Sequence, residues 1–416
     1  MTDVVVRVSR RGETIVAGTA HFTRERRTVT TTFTYDTAYL AAAGNLPIDP
    51  ALPLFSGNQY LPRLPGAFGD SAPDRWGRNL LVRRERQLAT EERRTVRSFD
   101  DVDFLLGVND ETRQGGLRYS LPGSDVMLSP HTDVPRLVAL PALLRASDEV
   151  AADGEEVAAY KRLLAAGTAS LGGARPKATV QLADGALGIA KFPHQSDERD
   201  VMAWECVSLD LAEVAGIDVP RRQLVKVGDR HVLLLARFDR SGTVPGAERI
   251  GYTSAMTMLE ETDGVSRDYI DIAEHLADFS AALRSDRREL FDRVVLSIAL
   301  HNTDDHLRNH GFLEVPGGWR LSPVFDVNPN PDLAEERATS IAGATSASDE
   351  AAGLHELAAV MGIKDEEAQA RVQRVVEAVG EWRGVAIRYD VPDSEQRAMG
   401  AVIDDRVAHL RSRFGL

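Results

Sequence analysis

One stretch constrains this chain more than any other: HNTDDHLRNHGFLEVPGGWRLSPVFDV, residues 301–327. It follows directly on ELFDRVVLSIAL, where Leu290, Phe291, Val294, Val295 and Ile298 recur at helical spacing. A buried helix therefore hands over to a polar loop. Asp304 and Asn309 lie five apart in that loop. GFLEV, a Pro-Gly-Gly turn and WRLSPVF then read as a hairpin whose second strand ends on Asp326.

Chemistry gives that order a meaning. In protein kinases a loop carboxylate accepts the substrate hydroxyl proton, an Asn five residues on binds Mg²⁺, and a following hairpin brings a second metal-binding Asp. Mg²⁺ prefers oxygen ligands and takes few from protein, because phosphates and water supply the rest. An Asp-x4-Asn alone arises by chance, as a turn whose side chains satisfy backbone groups. Upstream features change the balance. GTASLGGARPK, residues 167–177, is Gly-rich and suited to close approach of backbone N–H groups to phosphate, but it is not a P-loop, having no Gly-Lys-Ser/Thr. ALGIAKFP places Lys191 in an apolar strand, where an ammonium must snorkel or find an anion. Glu205 sits in the largely apolar helix VMAWECVSLDLA and is suited to pair with that lysine. Gly-rich segment, strand Lys, helix Glu, loop Asp and Asn, and hairpin Asp follow one another in kinase order.

The remaining patterns fill in an α+β fold. Residues 1–35 alternate as a small β-meander, residues 37–55 read as a short helix and a Pro-rich loop, and a helix starts at Asp74. Residues 100–120 hold a helix end and a Gly-Gly turn into a strand. A Pro-, Ser- and Asp-rich stretch at 121–150 marks a boundary, and a helix is expected over 153–166. Strands meet at Asp184-Gly185 and again at Gly228-Asp229, with a helix over 200–215 between the two hairpins. Helices are expected over 266–300 and 353–415, separated by the catalytic stretch and by an Ala/Ser/Thr-rich segment, 331–352, read as a mobile loop. The expected divisions are 1–125, 126–265 and 266–416: a β-rich N-terminal subdomain, the rest of an N-lobe, and a helical C-terminal lobe. The whole reads as a two-lobed, protein-kinase-like chain.

Composition narrows the partners. The 416 residues are 43% hydrophobic and 27% charged, enough for full-sized cores. A net charge of −14 argues against a direct, non-specific grip on nucleic acid, and the basic runs Arg24–Arg27, Arg83–Arg86 and Arg93–Arg97 read as solvated faces or turns. The single cysteine, Cys206, excludes an internal disulfide and fits a reducing compartment. With neither a signal-peptide pattern nor a run of about 18 apolar residues, a cytoplasmic protein without membrane contact is expected.

SLGGARPKA, IAKFP, LLLARFDR, NTDDHLRNHGF and LSPVFDV together resemble the core motifs of HipA-type serine/threonine kinases, the toxin halves of bacterial toxin–antitoxin modules. FGDSAPDRWGRNLL and GVNDETRQGGLRY look like that family's N-terminal subdomain, so the resemblance covers nearly the whole chain. It implies a HipA-like fold, ATP and Mg²⁺ as cofactors, and Asp304 as catalytic base. It implies further that Gly172, Gly173, Ala174, Arg175 and Lys177 wrap the phosphates and that Lys191, held by Glu205, pairs with them. Ala236, Arg237 and Phe238 would form the hinge against adenine. His306, Arg308 and Asn309 would approach the nucleotide, with Phe325 and Asp326 completing the metal site and Asn309 and Asp326 as metal ligands. Ser170 matches the family serine whose autophosphorylation switches the enzyme off. Asp305 competes with Asp304 as base; the spacing to Asn309 selects Asp304 and leaves Asp305 a loop-stabilising carboxylate. By analogy the target is a cellular protein, an aminoacyl-tRNA synthetase in characterised toxins. The partner is a small helix-turn-helix, HipB-like antitoxin, through which DNA is reached indirectly. Alternative readings are a non-catalytic nucleotide-binding scaffold in such a repressor complex, or a kinase of a small molecule.

Overall fold

The structure is a computed structural model describing residues 2–25, 28–129, 134–151, 163 and 175–416. The helix expected over 153–166 and most of the Gly-rich segment therefore lie outside the described residues, apart from Leu163. The chain is α+β and divides into two compact units, Met1–Ser196 with Val225–Thr253, and Asp197–Leu224 with Ser254–Leu416.

The first unit begins with the meander. Strands β1 (Thr2–Arg10), β2 (Glu13–Glu25) and β3 (Thr28–Tyr35) are antiparallel, and the β1–β2 turn places both Arg11 and Gly12 at positive φ, 50° and 78°. That conformation matches the twist of a two-residue hairpin. After α1 (Thr37–Ala41), β4 (Asn58–Leu61), α2 (Gly66–Asp70), α3 (Arg75–Glu91) and α4 (Asp101–Gly107), β5 (Leu117–Ser120) completes the sheet in the order β4-β3-β2-β1-β5. Alternation sends Val4, Val6, Phe22 and Phe33 into one core, where they meet Phe68 and Tyr119. Asp74 caps α3 by accepting the Gly77 amide at 2.7 Å, which is why the helix starts where its sequence said it would.

A second sheet in this unit runs β6 (Lys177–Gln181), β7 (Leu187–Lys191), β9 (Arg230–Ala236), β8 (Arg222–Val227), the chain entering from the other unit along β8. Helix α5 (Leu140–Ala151) covers it with Leu143, Leu144 and Val150, against Val180, Ala190, Phe192 and Leu234. Both hairpin glycines, Gly185 and Gly228, take positive φ. Short strands β10 (Arg240–Ser241) and β11 (Glu248–Arg249) follow, and β12 (Tyr252–Ser254) leads out of the unit. Within the basic runs, Arg24 and Arg97 pair with Asp103, the latter at 2.6 Å, and Arg94 pairs with Glu85 and Glu92.

The second unit is helical around one hairpin. Helix α6 (Val201–Val214) is buried on nearly every side, and α7 (Ala255–Met258), α8 (Tyr269–Phe279) and α9 (Leu283–Ala299) precede the hairpin β13 (Gly311–Val315) and β14 (Gly318–Leu321). Helices α10 (Glu350–Val360), α11 (Asp365–Gly380), α12 (Trp382–Arg388) and α13 (Asp393–Phe414) close the unit. Trp204 of α6 packs on Trp382 with ring centroids 6.0 Å apart, and its indole N–H donates to Glu395 at 3.0 Å. Cys206 is buried in α6, and burial pushes its thiol up to about 11, an inert state. Among the described residues no helix is long and apolar enough to cross a membrane.

Candidate active site

The site grows out of the end of α9. Its expected apolar face is buried, but so are Asp286, Asp292, Arg293 and Ser297, so the second half of the helix, from Leu290 to Ala299, is enclosed all round. Each charge carries a partner: Arg293 donates to Glu289 and to the Ser322 carbonyl at 2.6 Å, and Asp292 accepts from Arg371 at 2.8 Å and from Arg374. Such burial is tolerable only with those partners. His301 ends the helix at φ 53° and donates from Nε2 to the Asp332 carbonyl at 2.8 Å.

The two neighbouring aspartates then part company. Asp305 is buried, with the Tyr269 hydroxyl donating to one oxygen and His310 Nε2 3.2 Å from the other. Against its burial, His310, Tyr269 and Arg337 hold its carboxyl at about 2. Asp304 is exposed. Partial desolvation raises its pKa, the nearby charges of Asp326, Asp305 and Glu335 push the same way, and His306 opposes. A solvent-open carboxylate with raised proton affinity is the form a general base takes.

Asn309 donates its amide N–H to the Asp304 carbonyl at 3.1 Å, which turns Oδ1 the other way. Asp326 follows the hairpin with φ 61°, in the left-handed region that Asp and Asn visit more readily than most residues. Its backbone N–H donates to Glu205 Oε1 at 3.2 Å, so the α6 glutamate holds the backbone of the hairpin aspartate. The Asn309 amide oxygen and the Asp326 carboxylate are hard donors, two in number, as Mg²⁺ takes beside phosphate and water. Among the described residues no three His, Cys, Asp or Glu gather as an all-protein metal cage. Arg308 is engaged with Asp263 at 2.6 and 2.8 Å, and His306 is exposed beside it.

Of the other residues expected at the nucleotide, Arg175, Lys177, Lys191 and Ala236 to Phe238 fall in the first unit, with Glu205 in the second. Lys191 ends β7, largely buried, in register with Lys177 and Leu233. Lys177 is itself buried, its ammonium 3.2 Å from Asp74, whose carboxyl burial pushes up to about 6 against that attraction. Gly172, Gly173, Ala174 and Ser170 lie outside the described residues, and Arg175 opens the described stretch that continues into β6. At Ala236, Arg237 and Phe238 the chain leaves β9. The Arg237 side chain is locked into the fold, donating to Asp239 at 2.6 and 2.8 Å and to the Thr112 carbonyl at 2.6 Å. Asp239 also accepts the Gly115 amide at 2.8 Å; against the cost of burial, Arg237 and Arg240 hold its carboxyl well below the usual range. Phe238 lies tilted against Tyr252, with ring centroids 6.1 Å apart. Tyr269, His310, Arg337 and Thr339 were not legible as site residues. Among these only His310, next to Asn309 in sequence, stood where a signal could have been read.

Comparison with known proteins defines the class. Residues 169–383 match the model of the HipA-like C-terminal domain, and residues 14–112 that of the HipA N-terminal domain. The chain belongs to the HipA family. It is 24% identical over 38% of its length to a serine/threonine-protein kinase toxin HipA of Shewanella oneidensis. It is 25% identical over 31% of its length to a putative kinase of Haemophilus influenzae. The matched segments span 42% of each of those relatives. HipA in a solved complex of Shewanella oneidensis HipA, HipB and operator DNA shares the fold, with a TM-score of 0.67 at 15% identity over 99% of this chain and 98% of that one.

Proposed function

We propose that the chain is an ATP- and Mg²⁺-dependent serine/threonine protein kinase that works as a growth-arresting toxin. One observation carries the reading: Asp304 is the exposed member of a pair whose other carboxylate is buried in a structural network, and Asn309 and Asp326 stand beside it as oxygen donors. Mg²⁺, when bound, would supply positive charge that neutralises charge developing on the transferred phosphate. Asp304 accepts the proton of a serine or threonine hydroxyl as its oxygen bonds to the γ-phosphorus and the bond to the ADP oxygen breaks. Asn309 and Asp326 would hold the metal. Lys191 orients the phosphates, and Ala236 to Phe238 line adenine.

The family and the solved HipA–HipB–operator complex support a regulatory setting for this chain too. The partner is a HipB-like helix-turn-helix antitoxin, and DNA is reached through it, in keeping with the charge of −14. The target is a cellular protein, by family analogy an aminoacyl-tRNA synthetase, and phosphorylation of Ser170 turns the enzyme off.

Incubation with γ-labelled ATP and Mg²⁺ tests the reading. Label should pass to Ser170 or to a lysate protein, and Asp304→Asn should cut the rate by at least about a thousandfold with the melting temperature unchanged. A parent that binds ATP yet labels nothing, or an Asp304→Asn variant as fast as the parent, overturns it. The acid limb of the rate should lie above the ordinary carboxylate value, because partial desolvation, helped by Asp326, Asp305 and Glu335 and opposed by His306, raises the affinity of Asp304 for protons.

A further inference from the structure

The loop that carries Asp304 is not self-supporting. Three successive carbonyls around the base are each held by a side chain or backbone group. The Thr303 carbonyl accepts the Ala338 amide at 2.8 Å, the Asp304 carbonyl accepts Asn309, and the Asp305 carbonyl accepts the Thr339 hydroxyl at 2.6 Å. Two of the three donors come from one short segment, residues 337–343, within the stretch whose composition suggested a mobile loop.

That segment is anchored on both sides of the contact. Before it, Arg337 is buried and donates to Glu350 at 2.6 Å and to Ser297 at 3.4 Å, tying it to α10 and α9. After it, Asp268, at the start of α8, accepts the amides of Ala342 and Gly343 at 3.0 and 2.7 Å and the Ser340 hydroxyl. The Tyr269 amide returns a bond to the Ser340 carbonyl at 3.0 Å. Ile341 is fully buried, and Gly353 lets α10 approach so closely that a Cβ there would fall 2.1 Å from the Ile341 carbonyl oxygen. A segment seated this way can transmit position to what it touches.

We infer that residues 337–343 form a strap that sets the position of the catalytic base, with Thr339 as its positioning residue. The inference rests on the kinase reading above. Thr339 touches no reacting atom in this scheme; its hydroxyl holds the carbonyl of Asp305, the residue next to the base. Loss of that bond displaces the base without disturbing nucleotide binding, and small displacements in a reacting geometry are costly. Asp305, clamped through its carboxylate by Tyr269 and through its carbonyl by Thr339, is the point where strap and loop join.

Thr339→Val removes the donor and keeps the shape, Thr339→Ser keeps the donor, and Thr339→Ala serves in place of valine should that variant not fold. With the full chain, γ-labelled ATP and Mg²⁺, the maximal labelling rate should fall about tenfold or more in the valine variant. The ATP concentration giving half the maximal rate should stay within about twofold, and serine should restore the rate. A valine variant as fast as the parent, a serine variant as slow as valine, or a loss confined to ATP affinity overturns the inference. Hydrogen exchange of residues 302–309 is the second readout and needs no activity. Exchange should quicken in Thr339→Val and not in Thr339→Ser, and equal protection in all three chains overturns the strap. A parent that labels nothing while this exchange pattern holds defeats the kinase reading and leaves the strap standing.

Discussion

At the scale of single residues, two adjacent aspartates show how environment divides labour. Asp305 has its carboxyl held at about 2, below the ordinary 3.8, by His310, Tyr269 and Arg337. The unfolded chain therefore takes up that proton more readily. Stability from Asp305 is full above about pH 4 and is lost as pH falls toward 2, a contribution of about 2 kcal/mol. Urea unfolding at pH 5 should show Asp305→Asn less stable than the parent by that order, with the gap narrowing at pH 3; a pH-independent gap would contradict the assignment. The spacing to Asn309 separated these two carboxylates in the sequence, because a five-residue interval is local. What spacing could not show is the Tyr269 hydroxyl, 36 positions away along the chain.

At the scale of elements, hairpins and helices were legible and the strap was not. Asp184-Gly185 and Gly228-Asp229 announce turns because the left-handed backbone they need is a local demand. Helix α9 was legible as a helix through its apolar face, while the enclosure of its second half depended on charges whose partners lie elsewhere, such as Asp292 with Arg371. Residues 331–352 looked loose because they lack large apolar groups. Their order comes instead from polar bonds to distant chain, 72 positions apart for Ser340 and Asp268. The Arg337–Glu350 pair, 13 positions apart and with side chains 0% and 1% exposed, adds a buried anchor. Arg337→Met alone should destabilise by about 3 kcal/mol, because it leaves the buried Glu350 carboxylate with only the longer contact to Arg406 at 3.6 Å. Arg337→Met with Glu350→Leu should recover much of that loss. A double variant no more stable than the single, measured by chemical unfolding, would show that the pair is not the anchor.

At the scale of the whole molecule, neither compact unit is one continuous stretch of chain. Helix α6 is separated from the rest of the second unit by residues 225–253, yet it supplies Trp204 to the packing on Trp382 and Glu205 to the backbone of Asp326. A fragment spanning residues 254–416 should therefore lack a cooperative thermal transition, and adding a peptide covering residues 197–224 should raise its helical content. A sharp transition in the bare fragment would show that α6 is dispensable. Sequence order exposed the sequence of kinase parts but not this division, since periodicity carries no information about which segments share a core.

The bond from Trp204 to Glu395 spans 191 positions along the chain. During synthesis at about 5–20 residues per second, α6 waits roughly 10–40 seconds for that partner to be made. The loop bearing Asp304 leaves the ribosome well before then, but the unit that shapes it stays unfinished. A nascent chain of this kind thus cannot complete the unit around Asp304 until residue 395 has been made, a delay set by the order in which its parts emerge.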